Sequence, residues 1–153
     1  MVSSFEFQGK YQRRSSKLGA RKIIGEKNIL QINPGRVARL LEVTGWPDLY
    51  PGSLNLEVPI AVVTDLESLQ ELYFEHPQLI RYPEGLSNPA EKRGGYNYYW
   101  GKMTGSCDAQ DILIRRAKVH PISNRVEAYA PIGLQEHFNL REGDTVTVTV
   151  RDA

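Results

Sequence analysis

The sequence predicts a mainly β fold, a closed barrel of short strands decorated by two or three short helices. Three observations point there. Period-two alternation of apolar and polar residues recurs along the chain and is clearest where Val146, Val148 and Val150 alternate with threonines. Helical spacing is confined to short stretches that do not alternate regularly with strands, which argues against a doubly wound parallel sheet. Many short strands would leave many open edges, and closure into a barrel removes them.

The elements follow in order. Phe5, Phe7, Gly9 and Tyr11 fall on alternate positions, so residues 4–11 read as a strand. Lys10, Arg13, Arg14, Lys17, Arg21, Lys22 and Lys27 then crowd into one stretch opposed only by Glu26, with Gly19 and Gly25 inside it, and this reads as a basic loop. Ile29-Leu30-Gln31-Ile32 is a short apolar strand candidate. Asn33 and Pro34 open a helix as N-cap and first-turn residue. Val37, Leu40, Leu41 and Thr44 share its buried face, Gly45 closes it in a left-handed conformation, and Pro47 prevents continuation.

After the turn Tyr50-Pro51-Gly52, the residues Leu54, Leu56 and Val58 alternate with Ser53, Asn55 and Glu57, which predicts a strand with one wet face. Thr64-Asp65-Leu66-Glu67 has the form of a capping box, with Leu66, Leu69, Leu72 and Tyr73 following at helical spacing. Residues 75–95 contain three prolines and three glycines and read as an irregular excursion. Tyr96 to Lys102, Ile112-Leu113-Ile114 and Val126 to Tyr129 are strands. Pro131 starts a short helix carrying Leu134 and Phe138, Arg141 to Asp144 form a turn, and the Val-Thr strand ends the pattern.

The totals bound the function. The 153 residues, 41% hydrophobic and 24% charged, describe one globular domain over 1–153, with no repeat or linker to divide it. A single cysteine, Cys107, excludes an intramolecular disulfide, which fits a reducing, cytoplasmic location. Its setting, Gly105-Ser106-Cys107-Asp108, is that of an ordinary loop residue. Apolar runs such as Ile60-Ala61-Val62-Val63 are far too short to span a bilayer, and the N-terminus lacks the apolar core of a signal peptide, so no membrane partner is expected. With a net charge of +1 the whole chain is not an obvious polyanion binder, and the basic stretch at 10–27 reads either as a solvated loop or as a phosphate-binding segment.

Familiar catalytic constellations are missing. No Walker loop ends in Gly-Lys-Ser or Gly-Lys-Thr, and no Gly-x-Ser-x-Gly elbow occurs. His76, His120 and His137 are far apart and outside any zinc-ligand motif. What stands out is Ser53 and Asn55, two apart on a strand, whose side chains leave the same face roughly 6–7 Å apart at Cα. A hydroxyl and an amide oxygen so placed can share one hard cation such as Mg²⁺, or they can simply form the polar face of a half-buried strand. The aromatics Tyr96, Tyr98, Tyr99 and Trp100 can stack on a flat ring or pack the core.

Two motifs weigh on this choice. Tyr50-Pro51-Gly52-Ser53-Leu54-Asn55-Leu56 resembles the Pro-x-Gly-Thr-Leu-Asn segment of the archaeal CTP-dependent riboflavin kinases. Glu127-Ala128-Tyr129-Ala130-Pro131-Ile132-Gly133-Leu134-Gln135, followed by Leu140-Arg141-Glu142-Gly143-Asp144, is similar to that family's closing segment. The helix running into Gly45-Trp46 and the segment Tyr99-Trp100-Gly101-Lys102 also have counterparts, so the resemblance covers roughly residues 28–58 and 96–150.

The resemblance implies a six-stranded cradle-loop barrel that transfers the terminal phosphate of CTP to the ribityl hydroxyl of riboflavin, giving FMN and CDP. It implies that Ser53 and Asn55 bind the metal, Mg²⁺ or a similar divalent cation. It matches Glu127 to a flavin-contacting Glu, which by its chemistry can also accept the hydroxyl proton, and sets Lys118 near a flavin-contacting position. Ile132, Gly133, Leu134 and Gln135 match a nucleotide-contacting stretch, in which Gln135 replaces an Arg.

The family's Gly-x-Gly-x-Gly loop is replaced here by Lys17-Leu18-Gly19-Ala20-Arg21-Lys22, so Lys17, Gly19, Arg21 and Lys22 stand where backbone amides would reach the triphosphate. Basic side chains can serve as phosphate ligands there. The alternatives are a non-catalytic nucleotide- or nucleic-acid-binding barrel using the basic segment 10–27, and a transferase acting on another alcohol.

Overall fold

The computed structural model describes residues 3–13, 34–76, 78–81, 90–93, 95–106, 108–117 and 124–153. The expected strand at 29–32, the N-cap Asn33, Cys107, and the candidate ligand residues Lys17, Gly19, Arg21, Lys22 and Lys118 lie outside them.

The described chain runs β1 (Ser4–Tyr11), α1 (Pro34–Thr44), β2 (Leu54–Glu57), α2 (Ile60–Leu66), β3 (Tyr73–Glu75), β4 (Gln78–Arg81), β5 (Ala90–Arg93), β6 (Tyr96–Thr104), β7 (Ala109–Ala117), β8 (Arg125–Tyr129), α3 (Leu134–His137) and β9 (Thr145–Arg151). Six strands close a barrel in the order β6-β7-β8-β2-β1-β9, with β9 returning to β6 and every pairing antiparallel. β3 is an extra strand: it takes the β6 edge at Tyr96–Tyr98, and β9 takes the same edge from Trp100 to Thr104. β4 and β5 form a separate two-stranded sheet. The predicted six-stranded barrel is therefore the architecture found.

Alternation along the strands builds two apolar layers. Leu54, Leu56, Val126, Ala128, Ile112, Ile114, Tyr99, Met103 and the three valines of β9 are buried in one cluster inside the barrel. α2 and the turn after it add Val62, Val63, Leu66 and Leu69 to that cluster. A second cluster lies on the outer face, where Leu40 of α1 is buried with Leu49, Tyr98, Leu113 and Tyr129, flanked by Val37, Leu41 and Trp46. Gly45, at φ +73°, ends α1 as the sequence predicts, its amide donating to Leu41 O at 2.9 Å.

Four expectations change. The helix near Thr64 begins earlier, at Ile60 after Pro59, and ends at Leu66, so Thr64 sits inside it rather than at its N-cap. Burial of Val62, Val63 and Leu66 decides the helix, and Tyr73 belongs to β3. The Ser53-Asn55-Glu57 face is not wet throughout: Glu57 is exposed, but Asn55 is only 2% exposed, because the outer face of these strands also carries packed side chains. The 75–95 excursion contains the β4–β5 hairpin, and Pro131 and Ile132 form a bend before α3 rather than its first turn.

Candidate functional site

The strands carrying the two sequence motifs are hydrogen-bonded neighbours. β2 pairs β8 with Leu54 opposite Ala128 and Asn55 opposite Glu127. The segments before β2 and after β8 stay together, since the Tyr50 amide donates to Ala130 O at 2.9 Å. Gly133 lies so close to the Tyr50 ring that a Cβ there would be 2.9 Å from it, which explains the glycine.

Register then sets a row across the outer face. Asn55 faces Glu127, Glu127 faces Arg115 of β7, Arg115 faces Tyr98 of β6, and Tyr98 faces Tyr73 of β3. Side chains opposite one another on adjacent strands are within contact range. Arg115 Nη2 forms an ion pair with Glu127 Oε2, both side chains being nearly buried at 11% and 13% exposure. The Tyr129 hydroxyl donates to the same Oε2 at 3.5 Å. The Arg115 guanidinium lies 4.1 Å from the centre of the Tyr96 ring and 5.3 Å from that of Tyr129, so two cation–π contacts hold it.

The row continues into a buried polar network under α1. Arg36 Nε and Nη2 donate to the two carboxylate oxygens of Glu75 at 2.8 Å each, and the Tyr98 hydroxyl donates to Glu75 Oε1 at 3.2 Å. Burial pushes the Tyr98 phenol well above the usual tyrosine range, more than Arg115 and Arg36 pull it down, so it remains a protonated donor. Burial works against the Arg36 charge, but the hydrogen bonds to Glu75 together with the electrostatic attraction of Tyr98, Tyr129 and Glu75 outweigh it, and the guanidinium is held more firmly protonated than usual.

The other predicted site residues are placed differently. Ser53, immediately before β2, is half-buried. Ile132 packs on the barrel core, and Leu134 is buried in it, so a ligand along this stretch would meet backbone rather than the Leu134 side chain. Gln135 is exposed, and its Nε2 donates to Leu140 O at 2.7 Å, fastening α3 to the following turn. Tyr98 and Tyr99 are buried and serve packing.

Sequence reasoning missed Arg115, Tyr96, Arg36 and Glu75 as one constellation. The available signal was charge in otherwise buried patterns: Arg115 directly follows the apolar Ile112-Leu113-Ile114 run, and Arg36 lies beside the apolar face of α1.

Among the described residues no group of three or more His, Cys, Asp or Glu side chains could hold a metal ion. The donors expected for a divalent cation are of a different kind, a serine hydroxyl just before β2 and an asparagine amide oxygen within it, and hard oxygen atoms with waters and phosphate oxygens completing the shell suit Mg²⁺. Elsewhere, Thr104, Ser106, Asp108, His137, Asp144 and Thr145 border a polar cleft of about 380 Å³. There His137 Nε2 lies 2.5 Å from Asp108 Oδ2, and hydrogen bonds from His137 and the Ala109 amide hold the Asp108 carboxyl below its usual range.

No helix among the described residues is long and apolar enough to cross a membrane. The chain matches no protein-family model and no curated protein sequence.

Proposed function

We propose that this barrel is a metal-dependent phosphotransferase of the riboflavin kinase kind, passing the terminal phosphate of a nucleoside triphosphate, CTP by resemblance, to the ribityl hydroxyl of riboflavin. One observation carries the reading: the two motifs that resemble the kinases, distant in sequence, meet on paired strands with Asn55 opposite Glu127. In phosphoryl transfer the protein mainly positions groups and balances charge.

A divalent cation, when bound, neutralises the phosphate oxygens. Ser53 and Asn55 are the side chains that would hold it. Glu127, held by Arg115, offers a carboxylate to the acceptor alcohol. The alcohol oxygen attacks phosphorus, the bond to the bridging oxygen breaks, and the nucleoside diphosphate leaves while the alcohol proton passes to Glu127 or solvent. The turn Ile132–Gln135 supports the nucleotide through its backbone.

The test is purified protein incubated with riboflavin, Mg²⁺ and each of CTP, ATP, GTP and UTP, with FMN detected by mass. FMN from CTP, abolished by Asn55→Ala in a folded protein, is the expected result. No FMN with any donor rejects the reading. Salt-dependent binding to DNA or RNA, lost when Arg13, Arg14, Arg21 and Lys22 are changed to Ala, would replace it with the nucleic-acid-binding barrel.

A further inference from the structure

Glu127 is asymmetric. The Arg115 guanidinium and the Tyr129 hydroxyl both engage Oε2. The asymmetry is built in on several levels. Antiparallel register sets Arg115 directly across from Glu127. The guanidinium also makes cation–π contacts with the Tyr96 and Tyr129 rings, which limits its freedom to move. Both side chains are nearly buried, so water competes weakly for the pair. A carboxylate tied at one oxygen by two donors has lost its rotational freedom, and its other oxygen points in one direction only.

We propose that Arg115 is a positioning residue for the acceptor site: it pins Glu127 through Oε2 and thereby aims Oε1 as the atom that accepts the hydrogen bond of the substrate alcohol. This rests on the kinase reading and names the residue that orients its flavin-contacting carboxylate. Tyr129 assists, its bond to Oε2 being long at 3.5 Å. A lysine in place of Arg115 keeps the charge but is a point donor without the planar, stackable guanidinium fork, so charge alone does not reproduce the effect.

The experiment is a double-mutant cycle on riboflavin binding, followed by quenching of flavin fluorescence, with CTP and Mg²⁺ binding followed separately by calorimetry. Glu127→Gln and Arg115→Met are each expected to weaken riboflavin binding by about tenfold to a hundredfold, the worth of a hydrogen bond to a charged group. The double variant is expected to be no weaker than the weaker single, because both changes remove one device. Nucleotide binding should stay within about twofold throughout. Arg115→Lys should fall between wild type and Arg115→Met.

Additive losses in the cycle overturn the inference. So does an Arg115→Lys protein that binds riboflavin like wild type, and this variant decides the matter if Arg115→Met does not fold. A wild-type protein that binds no riboflavin overturns the kinase reading and this inference with it. Binding with additive losses overturns the inference alone.

Discussion

Removing Arg36 should unfold the protein far more readily than removing Arg36 and Glu75 together. The two side chains are 2% and 4% exposed and joined by two bonds of 2.8 Å. Arg36→Met leaves the Glu75 carboxylate buried with the Tyr98 hydroxyl, 3.2 Å away, as its remaining partner in the network. Stranding one member of a buried pair costs about 3–5 kcal/mol, whereas replacing both by apolar groups of similar volume is often close to neutral.

With a urea dependence of about 2 kcal/mol per molar, a 4 kcal/mol loss lowers the midpoint by roughly 2 M. Arg36→Met/Glu75→Leu should recover most of that. The assay is urea denaturation followed by tryptophan fluorescence, since Trp46 and Trp100 flank the same apolar cluster and report on it. A single variant within about 1 kcal/mol of wild type would refute the reasoning, because an unpaired buried charge would then carry no penalty. A double variant as unstable as the sum of the singles would refute it too.

Asp152 predicts acid behaviour. Its carboxylate accepts from the Gln70 amide at 2.8 Å and the Ser3 amide at 3.0 Å, and these bonds hold its pKa below the usual value of 3.8. The stability it contributes is thus present above about pH 3.8 and lost as pH falls through the lowered value, so Asp152→Asn should flatten the acid limb of urea midpoints measured from pH 6 to pH 2. Tyr98 predicts the opposite limb: its phenol is raised above 10.0 by burial, so the native state retains a proton that the unfolded chain releases, and stability should decline above pH 10. Tyr98→Phe should make that decline shallower, with Tyr99, also raised by burial, supplying the remainder. Gly133→Ala puts a Cβ 2.9 Å from the Tyr50 ring and should cost about 1–3 kcal/mol by driving the Pro131–Leu134 bend away from the Tyr50–Gly52 turn, read as a lower thermal midpoint and weaker nucleotide binding.

Legibility from sequence followed the locality of the cause. β1 and β9 were readable because one buried face imposes period two, β6 and β8 through their runs of aromatic and apolar residues, and α1 because Pro34 and Gly45 punctuate it. β7 is longer than its apolar centre predicts: Arg115 and Arg116 extend it because Glu127 and Glu67 neutralise them, and those partners come from elsewhere in the chain. α2 was misjudged because a local capping pattern at Thr64 competed with the burial of Val62 and Val63, and burial won. Ser53, Asn55 and Glu127 were singled out through motif resemblance, and the adjacency of Asn55 and Glu127 is a matter of strand pairing. The pairing of Arg115 with Glu127 was hidden for the same reason, since a cross-strand neighbour is chosen by register and no spacing in the sequence encodes it.

The pairing of β1 with β9 runs from Ser4 against Arg151 to Lys10 against Thr145, so the wall is sealed by the two most distant stretches of the described chain. During synthesis the β6–β7–β8 meander can assemble from near neighbours, but the ring must wait until Arg151 has cleared the ribosome. Until then the nascent chain holds β1 without its longest partner, a strand whose one apolar face solvent can wet and other chains can capture. Such late, long-range closure makes for folding in milliseconds to seconds rather than microseconds, and for a protein whose yield depends on how well that waiting strand is protected.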